Sequence, residues 1–359
     1  MKKRFFRMYV LWAMMAAPIV TSCKGDGDQE VEPVVPSEYL YVLNNGVWGF
    51  NNASLTLYDV EKGVATQNVF ERQNGRRLGD IGQDLLVYGS KMYIAMSEEF
   101  TIEVTDLEAK SIKQLKTEGP PRYFAVHNGK VYVTYFNGYV ARIDTASLQI
   151  EAKTVVGRNP EQLAVANGKL YVANSGGLDF NTTTGYDKTV SVVDMASFTE
   201  IEKIPVVANP CDVVFDKNNH IYVVSNGNYM DIPNALQKIN VITGEVTVVT
   251  AIHATYMATV GTKLFSIYSQ YDANWNQIIT FYAYDMASNT VLSENFIGTK
   301  KVDFPYKICS DEVSGEIYIT STSENYVNDG DVYIFDQSNR FVAKFETGVN
   351  PVKVVKIKR

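Results

Sequence analysis

The sequence predicts an all-β protein: a seven-bladed β-propeller of four-stranded blades, closed by a C-terminal strand that completes the first blade. Three observations lead to this prediction. One strand pattern recurs seven times, the recurrences are 39 to 50 residues apart, and the two ends of the chain supply complementary parts of one blade. A spacing of about 40–50 residues is typical of four-stranded propeller blades.

The first strand of each predicted blade is a short apolar run that follows a turn residue, usually proline. The seven runs begin at Gly82, Pro121, Pro160, Pro210, Thr255, Pro305 and Pro351.

The second and third strands of the repeat recur as well. The second strand alternates tyrosine with valine, as in KLYVANS from Lys169, which is a β pattern. Asn-Gly pairs before Lys130 and Lys169 predict tight hairpin turns between the first and second strands. The third strand ends in aspartate in six of seven copies and in Asn240 in the other, and this short polar side chain caps the turn into the fourth strand.

The two ends of the chain predict how the ring closes. The repeat begins with a second strand at Tyr39, with no first strand before it, and finishes with an unpaired first strand over residues 349–358. Pairing these strands completes one blade and removes the exposed sheet edges that an open array would leave.

The N-terminal residues predict export. Residues 1–22 combine a basic start with an apolar run that is too short for a permanent membrane helix, and they end in small residues just before Cys23. This pattern favours a lipoprotein signal, with acylation of Cys23 as a membrane anchor, over an ordinary secretory signal. Residues 23–37 contain the lipidated cysteine and a flexible acidic tether, which is either a surface-export signal or a simple spacer. The propeller is predicted over residues 38–359, held at a membrane by the lipid on Cys23, and an export signal in the tether would place it at the outer membrane facing the cell exterior.

Charge and composition exclude several function classes. The chain carries a formal charge of −7, and the predicted signal holds four of its basic residues, so the mature part is more acidic still. Nucleic-acid binding needs a basic footprint, and we expect none here. Cys211 and Cys309 fall in different blades and are expected to be free, buried and apolar in character. We expect no catalytic residues and no enzyme, because the three histidines belong to no metal or triad motif.

Metal binding has only weak candidates in the sequence. His253 lies at a blade entrance and could contact a ligand or a metal. The Asp and Asn residues around Asp179 and Asp187, and the segment Asn-Asp-Gly-Asp at residues 328–331, could hold calcium, although a role as polar turn residues is preferred. We therefore predict no metal site.

Loop length differs between the two faces of the predicted ring. The loops between first and second strands and between third and fourth strands are short, and they share what we call the plain face. The loops between second and third strands and between blades share the opposite, variable face, and many are long, such as residues 175–188. Because ordering a long loop costs conformational entropy, such loops are usually retained for function. The variable face is therefore the predicted binding face.

The predicted ligand-binding residues are aromatic and amide side chains of the variable face, joined by arginines. Aromatic planes beside amides suit a large flat ligand fringed with amides, or a sugar, although some rings are expected to pack the loops instead. The arginines either meet acidic groups of the ligand or offset the acidic surface. The full set is Trp48, Phe50, Arg76, Arg77, Arg122, Tyr123, Arg158, Asn159, Phe180, Asn209, Tyr229, Tyr256, Tyr271, Trp275, Phe304, Tyr306, Tyr326 and Asn350.

The repeat also resembles a known group of proteins. Its pattern G/N-P-x-x-(apolar)-A-V, NGK-(L/V)-YV-(A/T) and VSVVD resembles the bacterial YncE-like propellers over about residues 38–359. With the lipoprotein start, the acidic tether and the aromatic loops, the chain more closely resembles the BtuG family of surface-exposed cobalamin-binding lipoproteins. The resemblance implies non-covalent capture of cobalamin or a related corrinoid as a transported ligand, without a catalytic cofactor. It also implies delivery of that ligand to a TonB-dependent outer-membrane receptor.

Two other functions are compatible with a propeller, because the fold alone does not determine function. The first is binding of a glycan or peptide, or scaffolding of another cell-surface protein. The second is an enzyme such as a lactonase or a quinone-dependent dehydrogenase, which the scarcity of histidine disfavours.

Overall fold

The computed structural model describes residues 37–271, 274 and 276–359. Within this part of the chain, 28 β-strands form seven four-stranded antiparallel sheets, which confirms the predicted propeller. The predicted signal, Cys23 and nearly all of the predicted tether lie outside the described residues. Among the described residues, no helix has the length and apolarity needed to cross a membrane.

The strands follow one another blade by blade along the chain. Blade 1 contains β1 (Glu38–Asn44), β2 (Ser54–Asp59) and β3 (Val64–Thr66), and blade 2 contains β4 (Gly82–Tyr88), β5 (Lys91–Met96), β6 (Thr101–Thr105) and β7 (Ser111–Lys116). Blade 3 contains β8 (Pro121–His127), β9 (Lys130–Tyr135), β10 (Tyr139–Asp144) and β11 (Gln149–Val155), and blade 4 contains β12 (Pro160–Ala166), β13 (Lys169–Asn174), β14 (Thr189–Asp194) and β15 (Thr199–Pro205).

The remaining blades repeat this arrangement. Blade 5 contains β16 (Pro210–Phe215), β17 (His220–Ser225), β18 (Ala235–Asn240) and β19 (Val246–Val248), and blade 6 contains β20 (Tyr256–Val260), β21 (Lys263–Tyr271), β22 (Gln277–Asp285) and β23 (Thr290–Ser293). Blade 7 contains β24 (Pro305–Ser310), β25 (Ile317–Ser321), β26 (Asp329–Phe335) and β27 (Phe341–Val349), after which β28 (Pro351–Lys358) completes blade 1. A short helix, α1 (Val69–Asn74), and a 3-10 turn, η1 (Gly177–Asp179), lie in loops, and the sequence pattern had predicted neither.

The core lies between neighbouring blades. Second strands such as β13 and β17 bury every residue except the first, because sheets cover both of their faces. The outer strand β11 instead alternates exposed with partly buried residues. One inter-blade cluster joins Ile267 of blade 6 to Ile319 and Phe335 of blade 7. The alternating Tyr-Val pattern thus marks the strands that are covered on both sides.

The ring closes where β28 pairs with β1. The antiparallel register runs from Glu38 opposite Lys358 to Asn44 opposite Pro351. Lys356 joins the two ends further, since its Nζ lies 2.6 Å from Glu38 Oε2, and it also lies 3.0 Å from Glu316 Oε2 of blade 7. Because the last strand occupies the innermost position of the first blade, the predicted closure is confirmed.

The inner strands begin irregularly, and this irregularity shapes the channel around the axis. Register shifts follow the first residue of the inner strand in five blades, at Gly82, Pro121, Pro160, Pro210 and Pro305. Such bulges change the direction of the side chains that follow them. The next residues of these strands line a central channel.

Candidate functional site

The two faces differ in loop length, as the sequence predicts. On the plain face, two-residue turns join the first and second strands of blades 2, 3, 4 and 6. On the variable face, the second and third strands are joined by the longer loops 45–53, 175–188, 226–234 and 322–328. Most of the conformational entropy that is lost in ordering irregular backbone is therefore lost on the variable face.

Blade 6 departs from the prediction of a long loop after Ser269. Strand β21 continues through Tyr271 and β22 begins at Gln277, so most of the predicted loop is an extension of the hairpin. The paired backbone groups of residues 269–271 and 277–279 explain the difference, because each added pair satisfies two more main-chain groups. Trp275 lies outside the described residues.

Exposed aromatic side chains are concentrated on the variable face. Trp48 is 72% exposed and Tyr229 is 64% exposed, and the Trp48 indole Nε1 donates to Glu98 Oε2 at 3.1 Å. Six of the exposed aromatic residues, contributed by five blades, together form what we call the aromatic rim: Trp48, Phe50, Phe180, Tyr229, Tyr271 and Tyr326. The described plain-face loops expose Ile242 and Val313 as large apolar residues, and no aromatic residue.

A central channel opens inside the aromatic rim. Its volume of about 610 Å³ falls in the range of small-molecule sites, roughly 300–1,000 Å³. The seven inner strands form its wall, and several polar side chains face it near the blade entrances. They are Gln83, Asp84, Arg122, Tyr123, Glu161, Gln162, Cys211, Asp212, Tyr256, Lys307 and Lys353.

Arg122 is held on the channel wall by a paired carboxylate. Its guanidinium makes a bidentate contact with Glu161, with N–O distances of 2.7–3.0 Å, and donates to Gln83 Oε1 at 2.8 Å. The guanidinium also stacks 4.7 Å from the centroid of the Phe136 ring. A planar fork matched to both carboxylate oxygens is well ordered, so Arg122 forms a fixed part of the wall.

The other predicted arginines are also engaged by the protein. Arg76 Nη2 lies 2.8 Å from the buried Glu103 carboxylate, and Arg77 Nη1 donates to the Asn51 carbonyl at 3.2 Å. Arg158 contacts Asp179 and donates to the Gly185 carbonyl at 3.0 Å, which ties the long blade 4 loop to its entrance. These arginines therefore pair with the protein's own acceptors, and their contact with a ligand stays a prediction.

Three predicted asparagines precede inner strands and are largely buried. Asn159, Asn209 and Asn350 adopt positive φ angles of 47°, 61° and 54°, a conformation that asparagine tolerates well. Asn159 Nδ2 donates to the Phe136 carbonyl at 2.9 Å, and Asn350 Nδ2 donates to the Gly46 carbonyl at 2.9 Å. Their amide donors therefore hold the loops at the mouth, and their role in ligand contact stays a prediction.

The aromatic residues at the blade entrances connect the rim to the channel. The rings of Tyr306 and Tyr326 meet edge-on with centroids 6.4 Å apart. Phe304 is partly exposed and adopts a φ of 48°, which is costly for a bulky residue. Tyr123 and Tyr256 face the channel itself. The structure thus brings predicted residues from blades 3, 6 and 7 to one mouth.

The sequence prediction missed the charged residues one step deeper in the channel. Lys307 Nζ lies 4.1 Å from the centroid of the Tyr256 ring, and Lys353 Nζ lies 3.3 Å from Asp84 Oδ1. Asp212 Oδ2 accepts a hydrogen bond from the Met257 amide at 3.2 Å. Aligning the seven inner strands on their first residue would have revealed these charges, because Lys307, Lys353, Asp84 and Asp212 all occupy the third position.

Burial changes the acidity of these channel groups. It raises the pKa of the Asp212 carboxyl to about 6, although Lys307 and the Met257 amide counteract it. Burial also raises the pKa of Tyr123 to about 12. For Lys307, burial opposes the charged form, but surrounding groups such as Tyr123 and Asp212 outweigh it and raise the ammonium pKa. Lys307 therefore stays protonated at neutral pH.

The cysteines and the metal candidates behave as ordinary protein groups. Cys211 and Cys309 are free as predicted, but Cys211 lines the channel and is only partly buried, which corrects the expectation for that residue. The exposed His253 packs its ring 4.9 Å from that of Tyr268. Asp187 Oδ2 lies 3.7 Å from Arg158 Nε. The described residues contain no cluster of three or more His, Cys, Asp or Glu side chains suited to a metal ion.

Comparison with known proteins identifies a family and a fold. A family described as "Domain of unknown function (DUF5074)" matches residues 39–346. Among curated proteins there is no significant sequence match.

Solved structures share the propeller architecture at low sequence identity. A quinonprotein alcohol dehydrogenase-like protein of Bacteroides thetaiotaomicron is 15% identical with a TM-score of 0.63, covering 89% of this chain and 78% of that one. Hydrazine synthase of Kuenenia stuttgartiensis is 14% identical with a TM-score of 0.60, covering 79% and 89% respectively. The Pan2 WD40 domain of Neurospora crassa is 10% identical with a TM-score of 0.54, covering 75% and 80%. At these identities the likeness supports the fold alone.

Proposed function

This chain belongs to the DUF5074 family, and we propose that it captures cobalamin or a related corrinoid non-covalently at the variable face. The observation that carries the proposal is the one-sided surface: an aromatic rim surrounds the mouth of a polar channel, whereas the opposite face exposes no aromatic residue in its described loops. Exposed apolar surface gathered at one place on a soluble protein is typical of a binding site.

The chemistry of a corrin matches this surface. A corrin is a broad, flat ring whose edge carries amide side chains, so it offers apolar area at its faces and hydrogen-bonding groups around its perimeter. Rings such as Tyr229 and Tyr326 supply rigid contact area. Polar groups at the channel mouth, such as Gln83 and Gln162, offer amide partners. Apolar contacts would supply area and the polar groups would fix orientation.

The proposal is one of binding rather than catalysis. The arginines of the mouth are paired with the protein's own acceptors, as in the bidentate contact between Arg122 and Glu161. Such groups form a rigid wall, and a preorganised wall favours tight binding because little ordering is needed when the ligand arrives. No covalent step is required.

Delivery to a transporter extends the proposal. The predicted lipid anchor at Cys23 and the acidic tether would hold the propeller at the outer-membrane surface. The resemblance to surface cobalamin-binding lipoproteins suggests that a TonB-dependent receptor accepts the ligand from the variable face. The long loops of this face would then contact both ligand and receptor.

Isothermal titration of the mature, unlipidated protein with cyanocobalamin tests the proposal. We expect tight binding with one corrinoid for each protein molecule. Glycan and peptide arrays probed with the same sample are the comparison, because sugars also stack on exposed aromatic rings. Binding to an array without any heat from cyanocobalamin, with folding verified by circular dichroism, would replace the corrinoid proposal with the alternative.

A further inference from the structure

Lys307 differs from the other cations of the central channel. Arg122 is paired with Glu161, Lys353 with Asp84, and Lys356 with Glu38 and Glu316. Within the described residues, Lys307 forms no ion pair and its Nζ donates no hydrogen bond, and its close neighbour is the face of the Tyr256 ring at 4.1 Å. A partly buried ammonium without an acceptor has unused hydrogen-bonding capacity.

Unused donors also surround Lys307. Tyr123 and Tyr256 line the same channel, and in the described part of the chain their hydroxyl groups have no hydrogen-bond partner. Both phenols keep their protons at neutral pH because burial raises their pKa values. We call Lys307, Tyr123 and Tyr256 the Lys307 cluster. It presents one positive charge and two neutral O–H donors to the channel, which is the donor set that an oxyanion requires.

A nearby carboxyl limits the charge that the cluster can accept. Asp212 lies on the inner strand β16 of blade 5, acts electrostatically on Lys307 of blade 7, and accepts a hydrogen bond from the Met257 amide. A doubly charged anion would be repelled by the Asp212 carboxylate. A singly charged group such as a phosphodiester is favoured, because Lys307 alone balances its charge.

The Lys307 cluster is continuous with the aromatic rim. Tyr306 directly precedes Lys307 on β24, and its ring contacts Tyr326 of the rim with centroids 6.4 Å apart. A ligand lying flat on the rim could therefore extend one side arm into the channel. Cobalamin carries a single phosphodiester in its nucleotide arm, whereas cobinamide has the same corrin ring and lacks that arm.

From this geometry we infer that the Lys307 cluster is the subsite for the phosphodiester of the ligand's nucleotide arm. The inference rests on the proposed corrinoid function. In this assignment, the aromatic rim binds the corrin ring, and the Lys307 cluster distinguishes complete corrinoids from those without the phosphodiester.

The test compares two ligands on three variants. Lys307→Met keeps most of the length of the side chain and removes its charge, and it should weaken binding of cyanocobalamin by about 10- to 100-fold. Binding of dicyanocobinamide should stay within about twofold of wild type, since that ligand has no phosphodiester. Lys307→Arg should recover part of the loss. Lys301→Met is the matched control, because Lys301 lies on the same face with an 84% exposed side chain, and it should change neither affinity.

Two results would overturn the assignment while leaving the corrinoid function intact. Equal weakening of both ligands by Lys307→Met would assign Lys307 to the corrin ring, and no weakening of either would remove it from the site. If wild type binds neither corrinoid, the proposed function fails, and inorganic phosphate at low ionic strength and pH 6 becomes the probe. Saturable broadening of its ³¹P signal by wild type, lost in Lys307→Met, would keep the anion subsite, and its absence would reject it.

Discussion

The two faces of this propeller are built from the same strands, yet their surfaces have little in common. The plain face has mostly short turns, capped by groups such as Asp144, whose Oδ1 accepts the Ser147 amide at 2.7 Å. The variable face carries the long loops, the aromatic rim and the channel mouth. The same strands support both faces, so the faces can differ only in their loops. The loops are therefore the part of the fold that can acquire a binding function.

Removal of β28 has the largest expected effect, because it would disrupt the ring on which both faces depend. Deleting residues 351–359 leaves β1 with an unpaired inner edge and uncovers apolar groups such as Val354. We expect loss of the cooperative thermal transition measured by circular dichroism. A synthetic peptide of residues 351–359 should restore part of it. A truncated protein that melts like the full chain would contradict the closure mechanism.

Substituting a residue of the aromatic rim should weaken ligand binding, whereas substituting a residue of the plain face should not. Tyr326→Ala removes an exposed ring beside Tyr306, and we expect it to weaken cyanocobalamin binding by about 1–3 kcal/mol. Stability should change by less than about 1 kcal/mol, because the side chain is at the surface. Val313→Ala is the plain-face control, with a side chain 87% exposed, and its affinity should equal that of wild type. Equal effects of the two changes in titration calorimetry would remove the distinction between the faces.

Asp212→Asn examines the channel that lies between the two faces. The folded pKa of about 6 exceeds the ordinary value of 3.8, so this carboxyl stabilises the fold below pH 3.8 and loses that contribution as the pH rises through 6. The asparagine keeps the acceptor for the Met257 amide without a buried charge. We expect the variant to be more stable than wild type by roughly 1–3 kcal/mol at pH 8, and the difference to vanish near pH 4. Parallel pH profiles in denaturant unfolding would contradict the buried-carboxyl account.

Lengthening a plain-face turn has the smallest expected effect. Inserting Gly-Ser-Gly-Ser between Gly89 and Ser90 extends the two-residue turn between β4 and β5. Because closure entropy grows slowly with loop length, we expect a cost of about 1 kcal/mol or less, with affinity for cyanocobalamin unchanged. The same insertion between Asn228 and Tyr229 should weaken binding. Comparable losses of affinity from both insertions would show that the plain face also contributes to the site.

The fold was predictable because its signals are local and repeated. Proline at the start of an inner strand, Asn-Gly turns and Tyr-Val alternation each act over a few residues, and seven copies reinforce one another. The aromatic rim was predictable for a related reason, since exposed rings such as Trp48 and Tyr229 lie in loops that depart from the repeat.

The electrostatics of the mouth were not predictable in the same way. Arg122 meets Glu161 from the next blade, and Lys353 of the closing strand meets Asp84 of blade 2, at sequence separations that no local pattern reports. Lys307 was not predictable because its distinguishing feature is the absence of a paired carboxylate in the described part of the chain. That absence becomes visible only when the inner strands are assembled around the channel. Local sequence patterns therefore predict the residues that form the scaffold. The residues that set the charge of the site depend on contacts between blades, which local patterns do not predict.

Hydrogen–deuterium exchange with and without saturating cyanocobalamin tests most directly the claim that the variable face is the binding face. We predict slower exchange in loops 226–234 and 322–328 and at the entrance to β24 when the ligand is bound. Turns of the plain face, such as residues 128–129, should exchange at the same rate in both samples. Protection confined to the plain face, or none on either face, would contradict the account.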